Sequence, residues 1–368
     1  GDVFVSALKA IAPLLVFFLV VSSLCNAGKS HGGVIKTVII LYMFSTVLAA
    51  VIAVFASMAF PVKMTLANAA TDTSAPQGIV EVLNNLLLNV VANPVSSLVN
   101  ANYVGILMWA VLLGLAFRAA DKMTKKVLAD VADGISMVVT WIINLAPFGI
   151  FGLVFNTVST NGLDIFTTYG KLLLLLVGCM LFIYFVTNPL LVYWCIRQNP
   201  YPLIFHCLKR SALTAFFTRS SAANIPVNMK VCEEMGLDRD TYSVTIPLGA
   251  TINMDGAAIT ITVMTMATAF TLGIYVDIPT AIILSLLAAL SACGASGVAG
   301  GSLLLIPMAC SLFGISDDIS MQVVAVGFII GVVQDSVETA LNSSSDLLLS
   351  ASAEFRQWRL EGKEIKFK

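Results

Sequence analysis

Nine apolar segments follow one another along this chain, and several are long enough to cross a lipid bilayer, which takes about 20 residues. They are 3–24, 34–61, 80–117, 135–158, 168–195, 202–232, 241–272, 280–312 and 319–350. Only 11% of the residues are charged, against about 25% in a soluble domain. The pattern predicts an all-α integral membrane protein that crosses the bilayer several times. A net charge of −1 gives no indication of nucleic-acid binding.

The distribution of lysine and arginine predicts which loops face the cytoplasm, because cytoplasmic loops are enriched in both. Sixteen of the twenty lie in one group of loops or in the C-terminal segment, and only Lys63 and Lys171 lie in the other loops. The two groups alternate except around 202–232 and 280–312, which are each flanked by loops of one group. Both segments are interrupted, by TRSSAANIP and CGASGVAGGS respectively. We therefore expect two re-entrant helical hairpins of opposite orientation, which in transporters point to the substrate site.

The stretch QDSVETALNSSSD (334–346) places acidic and amide side chains directly after a long apolar run. At about 100° per residue, five of its side chains share one helical stripe. They are Asp335, Glu338, Thr339, Asn342 and Asp346. Such a stripe cannot face lipid, since each acid costs about 2.5–3.5 kcal/mol at the bilayer centre. A helix leaving the membrane at Ser343 would avoid that cost, but the apolar residues after Asp346 argue against it. We expect the stripe to face a site inside the protein.

A second polar cluster, IPLGATINMDG (246–256), interrupts another apolar span with Gly249, Asn253, Asp255 and Gly256. Glycine and asparagine weaken the helix and free its carbonyl groups. Freed carbonyls, together with Asn and Asp oxygens, suit a hard cation such as Na⁺. The structural alternative is a kinked span whose aspartate is satisfied by the protein.

The interruption TRSSAANIP (218–226) combines hydroxyl groups with a buried cation. Ser220 and Ser221 supply hydroxyl and N–H groups at a helix N-terminus, which attracts carboxylates. Arg219 is the arginine that lies deep in an apolar segment, so it needs an acidic partner, for which Asp335 and Glu338 are candidates.

Two weaker signals complete the polar pattern. The glycine-rich CGASGVAGGS (293–302) could serve as a lid or as a plain flexible turn. In YMFST (42–46), Tyr42, Ser45 and Thr46 share one helix face, although helical hydroxyls usually bond back to their own backbone.

Other function classes fit the sequence less well. An ion channel would need repeated rings of polar residues, and the chain has one compact polar cluster. An intramembrane protease would need a catalytic pair, and neither His31 nor His206 lies near the cluster in sequence. The seven cysteines contain no CxxC motif and predict neither disulfides nor a metal site. We expect no enzyme and no organic cofactor. A proton-coupled symporter remains an alternative, because Glu338 could carry protons.

Together these motifs resemble the dicarboxylate/amino acid:cation symporter family, which has the glutamate-transporter fold. The resemblance covers residue 1 to about 350 and rests on IPLGATINMDG, the serine-rich and glycine-rich interruptions, and the DxxxTxxNxxxD spacing from Asp335. AFFTRSSAANIPVNM and FIIGVVQDSVETALNSSSD are similar to the bacterial sodium:serine/threonine symporter branch. The family's first span has no counterpart, and the chain begins without Met inside an apolar segment, so we expect a fragment.

The resemblance implies a homotrimer in the bacterial inner membrane, with its C-terminus in the cytoplasm and an elevator-like fold built from inverted repeats. In chain order the implied parts are scaffold 1–33, transport-domain span 34–61, extracytoplasmic loop 62–78, scaffold and trimerisation region 79–165, transport domain 166–350 and tail 351–368. Within the transport domain lie hairpin 202–232, broken span 241–272, hairpin 280–312 and polar span 319–350.

The resemblance also implies site residues. Asp335 would bind the substrate α-amino group, while Asn342, Thr339 and the Ser221 region would hold its α-carboxylate. The implied substrate positions are Ser220, Ser221, Val298, Gly300, Ala257, Asp335, Glu338, Thr339 and Asn342. One Na⁺ would use Gly249, Asn253, Asn342 and Asp346. A second would use carbonyls of Thr251, Ala292, Cys293 and Ala295 near Met254. A third would use Tyr42, Ser45, Thr46, Asn253 and Asp255.

Two departures from the family pattern bear on the substrate. Members that carry acidic substrates have arginine where this chain has Glu338, and a substrate carboxylate would be repelled there unless Glu338 is protonated or paired with Arg219. The family's NMDGT reads NMDGA here, so Ala257 removes a hydroxyl from the side-chain pocket. Both departures favour small neutral amino acids such as serine and threonine over acidic ones.

Overall fold

The computed structural model describes residues 2–26, 33–66, 88, 91–100, 102–145, 148, 151–152, 155, 159, 165–293, 295 and 300–365. All regular secondary structure within these residues is helical. The N-terminal helices are α1 (Asp2–Asn26), α2 (Gly33–Ala59), α3 (Pro94–Val99), α4 (Tyr103–Ala116) and α5 (Lys122–Asn144). Then come α6 (Ile165–Phe182), α7 (Asn188–Ile196), α8 (Tyr201–Cys207), α9 (Leu213–Thr218) and α10 (Ser221–Glu234). The last five are α11 (Arg239–Ile252), α12 (Asp255–Thr271), α13 (Ile278–Ala292), α14 (Ile306–Ser311) and α15 (Asp317–Leu360).

Four stretches within the described residues have the length and apolar character to cross a membrane: Gly33–Ala59, Tyr169–Ile196, Val244–Thr271 and Asp317–Leu360. Large apolar side chains also remain on the outer surface, including Leu174, Phe217 and Val332. In a membrane protein such a surface faces lipid, which is as apolar as the side chains themselves. These features agree with the multi-span helical architecture expected from the sequence.

The helices break at the three places where the sequence interrupts an apolar segment. Between α9 and α10, Arg219 has a left-handed backbone with φ 49°. Between α11 and α12, Asn253 and Met254 leave the helical conformation. Between α13 and α14, Gly300 has φ 72°, and a 3₁₀-helix over Gly301–Leu305 follows it. Breaks at these points bring polar side chains together inside the molecule. They also leave backbone groups there that a continuous helix would use for its own hydrogen bonds.

The long helix α15 is the central element of the fold. It packs against α2, against each helix from α6 to α12, and against α14. Its side chains are buried almost throughout, from Ile319 to Phe355. A helix of 44 residues is about 66 Å long at 1.5 Å per residue, well beyond the thickness of a bilayer. The helices α1, α4 and α5 form a separate packing group, because α1 contacts mainly the other two.

Two helix boundaries differ from those expected. Residues 118–133 separate the apolar segments 80–117 and 135–158 and were therefore expected to form a basic loop. They are mostly helical, because α5 begins at Lys122 and its charged residues are largely exposed. The polar span continues past residue 350, and Ala351–Phe355 is buried helix, so the segment expected as a tail begins inside the protein. Hydropathy alone misplaces both boundaries, since it reads exposed charges on a helix as a loop.

Candidate functional site

The polar stripe of α15 is buried inside the protein, facing the broken segments. Its five members are at most 6% exposed: Asp335, Glu338, Thr339, Asn342 and Asp346. The breaks at Arg219–Ser220 and Asn253–Met254 lie against one face of this stripe, and Gly300 contacts it as well. Three interruptions that are far apart in sequence therefore meet at one place.

A small cavity lies where these elements meet. It measures about 20 Å³, room for about one water molecule. Its described lining combines one cation, two carboxylates, hydroxyls and an amide: Arg219, Ser220, Ser221, Met254, Ala295, Asp335, Glu338, Thr339 and Asn342. Of the expected substrate residues, Ala257 and Gly300 do not line this cavity, and Val298 lies outside the described residues.

Asp335 is the carboxylate that contacts residues at two of the helix breaks. Its Oδ1 accepts a hydrogen bond from the backbone N–H of Gly300 at 3.2 Å. Its Oδ2 lies 3.9 Å from Nη1 of Arg219, so of the two acids proposed for Arg219 the structure places Asp335 beside it. Arg219 remains partly exposed, and a pair at this distance is a loose one that leaves Asp335 able to bind a second cation.

Glu338 is held by a group of residues that the sequence analysis did not single out. Its Oε2 accepts hydrogen bonds from Thr260 Oγ1 at 2.7 Å, Ser302 Oγ at 2.9 Å and Gln334 Nε2 at 2.5 Å. Gln334 also donates to Thr260 Oγ1 at 2.8 Å. We call these three donors the Glu338 clamp. They come from α12, from the 3₁₀-helix and from α15 itself, which explains how a carboxyl group is accommodated in the core.

Asp255 lies at the start of α12 and faces α2. Ser45 Oγ donates to its Oδ2 at 2.7 Å, and Thr46 Oγ1 lies 3.2 Å from its Oδ1. Thr46 Oγ1 also accepts from the backbone N–H of Met254 at 3.2 Å. The hydroxyl groups of the YMFST motif therefore lie beside the Asp255 carboxylate of the NMDG break.

Asn253 contacts Asp346 and has an unpaired hydrogen-bond acceptor. Its Nδ2 donates to Asp346 Oδ1 at 2.9 Å and to Ser345 Oγ at 2.8 Å. Its Oδ1 is buried and has no hydrogen-bond partner among the described residues. A buried amide oxygen without a donor is suited to a cation, because leaving it unpaired costs about 1–3 kcal/mol.

Gly249 allows α11 to approach Asp346 and Tyr42 closely. A Cβ at this position would lie 2.8 Å from Asp346 Oδ1 and 2.8 Å from the Tyr42 hydroxyl. That hydroxyl donates to the Asp346 carbonyl oxygen at 2.9 Å and lies 2.7 Å from Ser350 Oγ. The Tyr42 hydroxyl is therefore already engaged by protein groups.

The set expected for a second cation is brought together only in part. Thr251 and Met254 flank the break between α11 and α12. Cys293 follows α13, and its Sγ lies 3.7 Å from the carbonyl oxygen of Ile252, so the ends of α11 and α13 adjoin. The backbone N–H of Ala295 donates to Ala292 at 2.9 Å.

A much larger cavity lies elsewhere, between α2 and α6. It measures about 830 Å³, and its described lining consists of apolar side chains such as Phe55, Leu174 and Phe182 together with Lys171. This described lining has no carboxylate, side-chain amide or hydroxyl group that could hold an amino acid in one orientation, so size does not make it the candidate site.

Comparison with known proteins identifies the family to which the chain belongs. Residues 1–354 match the sodium:dicarboxylate symporter family, and the chain belongs to that family of membrane transporters, not to a class of enzymes. One relative is the serine/threonine transporter SstT of Bifidobacterium adolescentis. The two sequences are 60% identical over 366 residues, which cover 99% of this chain and 85% of the relative.

Proposed function

We propose that this chain imports serine and threonine together with Na⁺ across the bacterial inner membrane. The observation that carries the proposal is the position of Glu338, a carboxyl group that lines the small polar cavity beside Asp335. An acidic substrate side chain would meet this group and be repelled, whereas a hydroxyl group could donate to it. The relative named as a serine/threonine transporter supports the same substrate class.

The two ends of the amino acid would use different groups of the cavity. Asp335 would pair with the substrate ammonium group, because among the described residues its Oδ2 has only Arg219, 3.9 Å away, as an ionic partner. Asn342, Thr339 and the N–H groups at the start of α10 would hold the substrate carboxylate. Glu338 would meet the side chain, next to the fully buried Ala257 region of α12.

Na⁺ would bind beside the substrate, in the oxygen-rich breaks. Asn253 has an unpaired Oδ1, its Nδ2 bonds Asp346, and Asp255 follows it by two residues, so amide and carboxylate oxygens would be available to a Na⁺ ion here. The hydroxyls of Ser45 and Thr46 add neutral oxygens on the Asp255 side. This donor set contains only hard oxygen ligands, as an alkali cation requires.

Transport would require the cavity to open, since it has room for about one water molecule and not for an amino acid. We propose that 202–232 and 280–312 are re-entrant hairpins and that the second moves to admit the substrate. The group 34–61 and 166–350 would then slide as an elevator against 1–33 and 79–165 in each protomer of a trimer. The weak packing of α1, α4 and α5 against the remaining helices supports this division.

Proton coupling is the second candidate, because Glu338 is a carboxyl group buried in the core. Such a group could exchange a proton as the cavity opens and closes, and the three donors of the Glu338 clamp would stabilise its ionised form when the cavity is closed. Under that mechanism a pH gradient alone would drive uptake.

The first test is uptake of labelled serine into proteoliposomes, with an inward Na⁺ gradient or with choline replacing Na⁺ at fixed pH. We expect uptake only with Na⁺, blocked by excess threonine and not by excess aspartate. Uptake driven by a pH gradient without Na⁺ would establish proton coupling instead. Block by aspartate would overturn the substrate assignment.

The same assay tests the site through a matched pair of variants. Asp335→Ala removes the proposed ammonium partner and should abolish uptake. Asp130→Ala removes an exposed carboxylate of α5 and should leave uptake at the wild-type rate. Wild-type uptake by the Asp335 variant would remove Asp335 from the site.

A further inference from the structure

Ser302 connects the glycine-rich interruption to the carboxyl group of Glu338. It lies in the 3₁₀-helix Gly301–Leu305, is buried, and donates its one hydroxyl proton to Glu338 Oε2 at 2.9 Å. Two residues earlier, the backbone N–H of Gly300 donates to Asp335. The short stretch 300–302 therefore contacts both carboxylates that line the candidate cavity.

The Glu338 clamp is asymmetric. All three of its donors bind Oε2, and no described residue donates to Oε1. Thr260 and Gln334 also bond each other at 2.8 Å, so these two donors form a fixed pair on α12 and α15. Ser302 is the donor that belongs to the interruption expected to move.

We infer that Ser302 is a positioning residue. It orients Glu338 for recognition of the substrate side chain only while the stretch 300–302 packs against α15. With Ser302 in place, Oε2 is fully occupied and Oε1 is the oxygen left for a substrate hydroxyl. When 300–302 moves away, Glu338 loses one of its three donors and is free to rotate. Selection of the side chain is thereby tied to closure of the site. This inference rests on the proposed function, which it deepens.

Glycines in and around the stretch 300–302 allow it to pack closely against α15. A Cβ at Gly300 would lie 2.9 Å from Phe328 Cε1 on α15, and one at Gly327 of α15 would lie 2.5 Å from Leu303 Cδ2. Gly300 has φ 72°, which residues with a side chain rarely adopt. Such close contacts define one position of the 3₁₀-helix relative to α15, so Ser302 reaches Glu338 in that position.

The test is a competition assay with Ser302→Ala. Alanine lacks only the hydroxyl oxygen, so the substitution removes the contact with little change in packing. We expect the preference for serine over alanine as a competitor of labelled serine uptake to fall about tenfold, the effect of one hydrogen bond to a charged group. Ser285→Ala is the control, because Ser285 is equally buried in α13 but bonds only the Ala281 carbonyl of its own helix.

A positioning role and a general structural role give different results. An unchanged preference in Ser302→Ala would overturn the inference. An equal loss of apparent affinity for serine and alanine would do the same, since it would show a general role. Ser302→Thr retains a hydroxyl, so it should retain the preference, and its failure to do so while the protein folds normally would also count against the inference.

A double-mutant cycle separates this inference from the proposed function. We would measure thermal unfolding of Ser302→Ala, Glu338→Gln and the double variant in detergent. If the two side chains interact as inferred, the effects are non-additive. Additive effects would overturn the inference even if serine transport is confirmed. Absence of serine uptake by the wild type would overturn the proposed function alone, and a non-additive cycle would still establish the contact.

Discussion

Glycine sets the distance between α12 and the acidic stripe of α15. A Cβ at Gly256 would lie 2.9 Å from Glu338 Cγ and 3.0 Å from its backbone Cα and carbonyl oxygen. The backbone N–H of Gly256 also donates to Asn342 Oδ1 at 2.7 Å. Because the obstructing atoms include backbone, a side chain here cannot be accommodated by a rotamer change alone.

Gly256→Ala should therefore lower the apparent affinity for serine about tenfold, since overpacking of this kind costs about 1–3 kcal/mol. The added methyl group would push Glu338 and Asn342 away from the cavity. Gly331→Ala is the control on α15, because a Cβ there meets no atom within 4 Å. Concentration dependence of uptake measures both, and equal affinities would show that the close approach at Gly256 is unimportant.

Asn253→Ala should raise the Na⁺ concentration for half-maximal uptake about tenfold, the effect of losing one ligand worth about 1.5 kcal/mol. The variant removes the unpaired Oδ1 and the hydrogen bond to Asp346. Asn100→Ala, at an exposed position between α3 and α4, should leave the Na⁺ dependence unchanged. A normal Na⁺ dependence in Asn253→Ala would exclude this amide as a ligand.

The sequence predicts the stripe on α15 because a helix has a fixed period, and its carboxyl groups indeed lie on one buried face. It does not predict Thr260 or Ser302 as partners of Glu338, since these come from elements 78 and 36 residues away. Gln334, by contrast, is predictable from sequence as a partner of Glu338. It lies four residues before Glu338, where helical side chains are neighbours.

At the scale of elements, the two interruptions are anchored differently. Three polar residues join the first interruption (TRSSAANIP) and its flanking helices to Ser343 of α15: Ser211, Asn224 and Asn228. Asn228 accepts from Ser211 Oγ at 2.5 Å and donates to the Ser343 carbonyl oxygen at 2.8 Å, which ties both arms of the interruption to the long helix. Among the described residues of the second interruption (CGASGVAGGS), Gly300 and Ser302 donate hydrogen bonds to the stripe.

Asn228→Ala should lower the free energy of unfolding by about 1 kcal/mol, because it leaves buried partners without a bond in the core. Thermal unfolding in detergent measures the loss. Asn26→Ala is the control, since Asn26 is exposed and bonds back to its own helix. A melting temperature equal to that of wild type would show that the network does not hold the first interruption.

The positions of the helix breaks were predictable from sequence, and the extents of the helices were not. Arg219, Asn253 and Gly300 lie where polar or glycine-rich residues interrupt apolar runs. The start of α5 at Lys122 and the end of α15 at Leu360 were missed, because packing against neighbours and exposed charged faces do not appear in a hydropathy average.

At the scale of the whole molecule, Na⁺ should act as a structural ligand. Four carboxyl groups, those of Asp255, Asp335, Glu338 and Asp346, are buried with one partly exposed arginine near them. An ion that binds the folded protein stabilises it, and each tenfold rise in a saturating ligand adds about 1.4 kcal/mol per site.

The melting temperature should therefore rise with Na⁺ when choline keeps the ionic strength constant. Asn253→Ala should reduce the slope of this rise, while Asn100→Ala should keep it. A melting temperature independent of Na⁺ would contradict binding of the ion within the folded core.

The same four carboxyl groups have an electrical consequence. If all four are ionised, they and Arg219 leave the proposed moving part (34–61 and 166–350) with a surplus of three negative charges. Each charge that crosses the membrane field changes the free energy by about 2.3 kcal/mol per 100 mV. A negative interior would then oppose inward movement of the empty protein and favour its return. Bound Na⁺ ions reduce the surplus, so the loaded protein moves inward at little electrical cost. Membrane voltage should accordingly accelerate the cycle by resetting the empty carrier.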